Sequence, residues 1–178
     1  MPEPKAPPKS PPKADPQHGA HAAFEPHDHH ECVDATLQRA DDMVRARGLR
    51  LTPVRRRTLE ILLERHGAMG AYDVLQRLSD EGFGHQPPVA YRALDFLVEN
   101  GLAHRIRRLN AFTACNHPGE SHHAAFLICR GCDSVAEIPA DPLRGTLDQG
   151  AAGMGFHIER ATIEAVGLCT ACSAEAAQ

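Results

Sequence analysis

Two cysteine pairs carry the strongest chemical signal in the chain, Cys129-Arg130-Gly131-Cys132 and Cys169-Thr170-Ala171-Cys172. Two residues between thiols let both sulfurs of a knuckle reach one ion, and two knuckles supply the four soft donors of tetrahedral zinc. Four thiolates leave no open position for water, so such a site is structural and ties the end of the chain to a domain core. The 36 residues between the pairs exceed the usual zinc-ribbon loop, but closure entropy rises only logarithmically with length. The competing reading is two redox pairs or reduced core cysteines. A thioredoxin-type site requires a pair that opens a helix after a strand, and neither pair is read as doing so.

A second constellation is looser: His104, Cys115, His122 or His123, and Glu137, with His117 in reserve. Two imidazoles, one thiol and one carboxylate are a zinc set by residue type, although spacing alone does not single them out. Placement adds weight. His104 and Cys115 fall on two strands of one ribbon, whereas His122 and Glu137 belong to the following region, so an ion holding all four would clamp one half of the chain to the other.

The elements that must position these groups follow from periodicity. Val33, Leu37, Ala40 and Val44 recur at helical spacing up to Gly48. Thr52-Pro53 reads as an N-cap followed by proline at the first helical position. Val54, Thr58, Ile61, Leu62 and Arg65 continue that helix toward Gly67. Ala71, Val74, Leu75 and Leu78 mark a third helix, closed by Gly82 and Gly84. Pro87-Pro88 opens a fourth, with Ala90, Ala93, Leu94, Leu97 and Val98 inward and Gly101 at its end. The period then becomes two: Leu102, His104 and Ile106 alternate with Ala103, Arg105 and Arg107, and a turn at Asn110-Ala111 leads into Phe112-Thr113-Ala114-Cys115. Short helices followed by a two-stranded ribbon describe a winged helix-turn-helix. Strands at 125–128, 134–138 and 162–166, with a helix near 142–153, form a small α/β unit, making the whole α+β. The division expected is a His/Pro-rich tail over 1–32, a winged-helix head over 33–115 and a metal-binding unit over 116–178.

The net charge of -4 conceals an uneven distribution. Residues 34–110 hold 13 Arg against 10 acidic residues, whereas 111–178 hold 3 Arg against 8. A basic middle before an acidic end points to a polyanion partner for the middle. Arg92, beside Tyr91, opens the exposed side of the fourth helix, where a recognition helix reads base edges. Arg50, Arg55, Arg56, Arg57 and the ribbon arginines Arg105, Arg107 and Arg108 would hold phosphates. The bland alternative is a solvated arginine face. With no Trp and two Tyr, an RNA-stacking surface is disfavoured.

No apolar run approaches a membrane span, and the first 33 residues show no secretory signal. Six cysteines are few for a disulfide scaffold, so the expected setting is the reducing cytoplasm. The five histidines of the tail (His18, His21, His27, His29, His30), with Cys32 close behind, could take up metal weakly, but the composition reads as a solvated tail. No His-Glu-x-x-His motif, nucleophile elbow or phosphate loop is present, which argues against an enzyme.

The run Arg50-Leu51-Thr52-Pro53-Val54-Arg55, then Ala71-Tyr72-Asp73-Val74-Leu75 and Tyr91-Arg92-Ala93-Leu94-Asp95-Phe96-Leu97, resembles the ferric uptake regulator family of metal-responsive repressors. Phe126-Leu127-Ile128-Cys129-x-x-Cys132 and Ile163-Glu164-Ala165-Val166-Gly167-Leu168-Cys169-x-x-Cys172 extend the match over roughly residues 34–173. The Tyr-Arg-Ala-Leu-Asp-Phe-Leu and Gly-Leu-Cys-x-x-Cys stretches look most like its zinc uptake branch. Two departures stand out. Val89-Ala90 replaces the Thr-Val usual before Tyr-Arg, and the iron branch's His-His-Asp-His run falls on His123-Ala124-Ala125-Phe126. The resemblance implies a homodimer with a winged-helix head and an α/β dimerisation domain. It also implies one structural zinc on Cys129, Cys132, Cys169 and Cys172, and one regulatory zinc on residues matching His104, Cys115, His122 and Glu137. The function implied is a zinc-responsive repressor on palindromic operator DNA. Its rivals are an iron- or peroxide-responsive regulator and, from another class, a zinc-buffering metallochaperone.

Overall fold

The computed structural model describes residues 29–65, 67–119 and 123–176. Helix α1 spans His29–Ala46 and starts four residues before the expected Val33, since no proline follows Pro26 to interrupt it. It buries Leu37, Ala40 and Val44. Helix α2, Pro53–Leu63, begins as read, with the Thr52 hydroxyl accepting the Arg55 N–H and proline in the first turn. It ends at Leu63 rather than near Gly67, so Arg65 lies outside it. Gly67 instead bridges to Ser134, at the entrance of the second sheet.

Strand β1, Met69–Gly70, leads into α3, Ala71–Asp80, and then α4, Pro87–Glu99. Helix α4 buries Ala90, Ala93, Leu94, Phe96 and Leu97. It stops at Gly101, whose φ of +69° favours a residue without Cβ. The Leu102 N–H then closes on the Leu97 carbonyl at 2.8 Å and aims the chain into the ribbon.

The ribbon is β2, Ala103–Ile106, and β3, Ala111–Ala114. They pair antiparallel with His104 opposite Thr113 and Ile106 opposite Ala111. Two-residue β1 adds to the far edge of β3, giving the order β1-β3-β2; it was not expected, being too short to show a period. The three helices α2–α4 and this sheet are the winged helix-turn-helix, with its core around Leu59, Ile61, Val74, Leu78, Leu94 and Leu97.

The second sheet has β4, Ala124–Cys129, between β5, Val135–Pro139, and β6, Ile163–Gly167. β5 runs antiparallel to β4, and β6 runs parallel to it. Helix α5, Asp141–Ala152, provides the crossover, and α6, Thr170–Ala176, follows β6. The two sheets share a small apolar cluster. Ile106, on the ribbon, packs with Phe126, Ile128 and Val135 of the second sheet, flanked by Ala68 and Leu109. Strict alternation along β2 fails for this reason: Ala103 faces the helical core while Ile106 faces the other sheet, and both are buried.

Truncating a fully buried aliphatic side chain between two elements costs its transfer energy plus the cavity left behind. Ile106→Ala should therefore lower stability by about 2–5 kcal/mol in urea denaturation. A loss under about 1 kcal/mol would mean that the ribbon does not depend on this contact.

Candidate metal centres and nucleic-acid face

The first knuckle bridges the end of β4 and the turn after it, and the second links β6 to α6. Since Cys129 pairs with Gly167 in the β4–β6 register, the parallel ladder brings the two knuckles side by side. Donor atoms of Cys129, Cys132, Cys169 and Cys172 all lie within 4.8 Å of one another. The Cys132 and Cys169 sulfurs are 3.9 Å apart, close to the edge of about 3.8 Å of a sulfur tetrahedron with zinc at its centre. All four thiols are free of disulfides. Gly131 makes the cradle possible: a Cβ there would stand 2.9 Å from the Cys172 sulfur.

The thiols perturb one another. The Cys169 N–H donates to the Cys129 sulfur at 3.3 Å, and this bond foremost pulls the Cys129 thiol below its ordinary range. Hydrogen bonds with Cys169 and then Cys129 push Cys172 the opposite way. Four sulfurs crowded like this ionise together only around a cation, and four soft donors suit zinc. One sequence-based expectation needs correction: Cys169-Thr170-Ala171-Cys172 does open a helix directly after a strand. Short α6, with no buried residue, was invisible to periodicity. The pair nevertheless sits within reach of the other two sulfurs, which the two-pair redox reading does not provide.

A second group joins the halves of the chain. His104 on β2, Cys115 just beyond β3 and Glu137 on β5 place one donor atom each within 4.8 Å of the others. His104 Nε2 is 3.3 Å from Glu137 Oε1, and the Cys115 sulfur is 4.0 Å from the same oxygen. Glu137 Oε2 accepts the Asn116 N–H at 2.9 Å. The thiol is fully enclosed and the carboxylate is 4% exposed. A carboxylate this deep requires a cationic partner or strong hydrogen bonds, and an imidazole, thiol and carboxylate set suits zinc. The Phe126 ring, directly opposite Glu137 in the ladder, lies 5.1 Å from the imidazole of His104.

His123, the alternative to His122, is exposed and its Nδ1 stands 3.1 Å from Asp141; it does not join the triad. His122 lies outside the described residues. His117 is half-buried, two residues past Cys115. The residues that sequence reasoning missed are Gly131, Asn116, Phe126 and Asp141, all of which act through contacts between distant segments.

On the solvent side of the head, Tyr91 and Arg92 are exposed in the first turns of α4. Arg55 lies 3.6 Å over the Phe96 ring and donates to the Arg50 carbonyl at 3.0 Å. It borders the same shallow groove as Arg92, Thr52 and Gln86. Arg50, Arg107 and Arg108 are exposed, as is Arg105, which donates to Asn110. Arg56 and Arg57 do not fit the phosphate role expected of them. Arg56 pairs with Asp41 and Glu60. Arg57 is held by Glu81 at 2.7 Å, Glu64 at 3.0 Å and Glu60 at 3.3 Å. Both guanidiniums are thus taken up by carboxylates at the partly exposed surface of the head.

The ferric uptake regulator family model matches residues 46–166. The chain belongs to the ferric uptake regulator family. The zinc uptake regulation protein of Escherichia coli strain K12 is 37% identical over 137 residues, covering 76% of this chain and 80% of that protein. The protein of the same description from Shigella flexneri matches to the same extent. Among solved structures, a zinc uptake regulator complexed with zinc and DNA is 34% identical with a TM-score of 0.76, covering 86% of this chain and all of that one. Holo XcZur is 35% identical with a TM-score of 0.72, covering 79% and 99%. Among the described residues no helix is long and apolar enough to cross a membrane.

Two tests follow from the geometry. Gly131→Ala must displace the Cys172 sulfur, so chelator competition should show zinc at the four-thiol centre weakened by about 10–100-fold; unchanged affinity would place Cys172 outside it. At the triad, burial opposes the charge on His104. Hydrogen bonds and charge from Cys115 and Glu137 outweigh that and raise its pKa to about 9. The imidazole must be neutral to bind metal, so metal displaces a proton held up to that pH. Zinc affinity at the triad should climb from pH 6.5 toward about 9, and a flat profile in buffered zinc titrations would show that no such proton is displaced.

Proposed function

We propose that the chain is a zinc-responsive transcriptional repressor that binds palindromic operator DNA as a homodimer when its regulatory site is filled. The regulatory ligands are His104, Cys115, Glu137 and, as fourth, His122. Cys129, Cys132, Cys169 and Cys172 hold a separate structural zinc. The observation that carries this reading is the triad itself, because its donors come from the ribbon beside the reading helix and from the second sheet. Zinc bound there supplies the cationic charge that an enclosed carboxylate and thiolate both require.

His104 and Cys115 fix the root of the ribbon against β5, and the ribbon is continuous with α4 through Gly101-Leu102. Docking the ribbon therefore sets the angle of α4 relative to the second sheet. If two copies join through that sheet, docking also sets the separation of their reading helices, which must match half-sites about one turn of DNA or a multiple apart. Support for pairing lies in the exposed Leu143 and Leu147 on one side of α5, together with Met154, Phe156 and Val166. An apolar surface of this kind marks an interaction site. The division into head and metal-binding unit is drawn after Cys115. Tyr91 and Arg92 read bases, and Arg50, Arg55 and Arg107 contact phosphates. By linkage, DNA tightens zinc as much as zinc tightens DNA. The relatives' names favour zinc over iron, and a regulator of this kind works in the cytoplasm and carries out no catalysis.

The decisive experiment is a DNA-shift titration at buffered free zinc, repeated with iron and manganese. Wild type should bind operator fragments only as zinc rises, and Cys115→Ser should abolish that response while keeping a folded dimer with tight zinc. Equal binding after removal of exchangeable zinc would overturn the sensor reading, and an equal response to iron or manganese would overturn its metal assignment. Arg92→Ala should relax base preference. Arg107→Ala should weaken all sequences alike and flatten the salt slope by about one unit.

A further inference from the structure

Glu164 belongs to β6, yet both of its carboxylate oxygens bond to the wing. Oε1 accepts the Arg107 N–H at 2.7 Å, and Oε2 accepts the Arg108 N–H at 3.0 Å. These two successive donors lie in the turn between β2 and β3. The turn's own bond runs from the Asn110 N–H to the Arg107 carbonyl at 3.1 Å and leaves them open. A carboxylate on paired backbone N–H groups makes charge-assisted bonds, stronger than neutral ones.

The register shows why this residue is placed to act. Phe126 is opposite Glu137 on one side and opposite Glu164 on the other. Residues paired across neighbouring strands share a sheet face. A single row, Glu137-Phe126-Glu164, therefore meets the ribbon at three points. Glu137 faces His104 and Cys115 at its root, Phe126 touches the His104 ring, and Glu164 takes its tip. Two of these contacts belong to the metal triad or border it, whereas the third is independent of metal.

We propose that Glu164 is a positioning residue: a second catch that docks the wing tip on the sheet and so sets how much zinc the triad needs before the head reaches its DNA-binding pose. This rests on the zinc-repressor reading above. Among the described residues Glu164 bonds to backbone N–H groups of the tip, so the contact does not engage the side chains of Arg107 and Arg108. Catch and ion favour the same docked pose. Losing the catch reduces the fraction docked, and apparent zinc affinity falls by that fraction. At saturating zinc the pose fills again and DNA affinity recovers. A residue serving DNA contact alone would lower the plateau and leave the zinc midpoint in place.

The test compares full-length wild type, Glu164→Gln and Glu164→Asp, with a genomic fragment retained by the zinc-loaded protein as probe. Operator binding is followed by fluorescence anisotropy at buffered free zinc. Glu164→Gln should raise the zinc midpoint about tenfold, a shift of about 1.4 kcal/mol, with the plateau affinity within about twofold of wild type. Glu164→Asp keeps the charge on a shorter arm and should fall between. Tight zinc content and sedimentation identify folded dimers, and if the Gln variant fails these, the Asp midpoint decides. An unshifted midpoint, or a plateau that falls by the same factor, overturns the proposal. A wild type indifferent to zinc would instead overturn the repressor reading.

Discussion

The packing of one four-residue strand against two different cores governs this molecule. β2 must give Ala103 to the helical head and Ile106 to the second sheet, so the ribbon cannot move without disturbing both. Its register with β3 is fixed by four residue pairs, and β3 is anchored in turn by Phe112 and Ala114 in the head core. The wing is thus the mechanical joint as well as the last element of the head. Any group that strengthens or weakens its seat on the second sheet acts on the contact through which the head, and α4 with it, meets that sheet.

The two metal centres differ because their surroundings do. The four thiols sit at the end of one sheet, joined by a parallel ladder that is complete without the head. A cation there would stabilise a local fold by tying α6 to the end of β4, while β6 keeps its own ladder. The triad instead draws donors across the joint, with a carboxylate 4% exposed at its centre. Burying that charge is unfavourable unless a positive partner comes from the opposite side. If the triad is the sensing site, occupancy and docking are coupled, whereas the four-thiol centre need not respond to docking. Of the two donor sets, only His104, Cys115 and Glu137 span the contact between the ribbon and the second sheet.

Local signals were legible in the residues. The Thr52-Pro53 cap, the stop at Gly101 and the turn at Asn110 each depend on near neighbours, and all appear where the pattern placed them. The knuckles were legible for the same reason, since the spacing within each pair does the chemical work. What could not be read depends on contacts across tens of residues. β1 has two residues and exists only because β3 offers an edge. Arg57 looked like a phosphate contact until Glu81, 24 positions away, was found beside it. Glu164 sat within a recognisable motif, but its contact with the wing depends on how the two sheets stack. His104, Cys115 and Glu137 were gathered by residue type and family likeness, and nothing in their spacing alone would have chosen them.

Charge placement follows the same division. Arg56 and Arg57 are engaged in partly exposed ion pairs between α1, α2 and the end of α3. Among the exposed arginines of the described residues are Arg50 before α2, Arg92 at the opening of α4, and Arg105, Arg107 and Arg108 on the wing. These are the groups whose relative positions change if the wing moves on its seat, because Arg92 is fixed to the head while the wing tip is also held by β6. A polyanion spanning both sets would bind well only in the docked arrangement, so its affinity would report on the joint. In the proposed repressor, coupling between metal and nucleic acid would therefore need no relay through the core: it would follow from placing one binding surface on both sides of the contact that the triad spans.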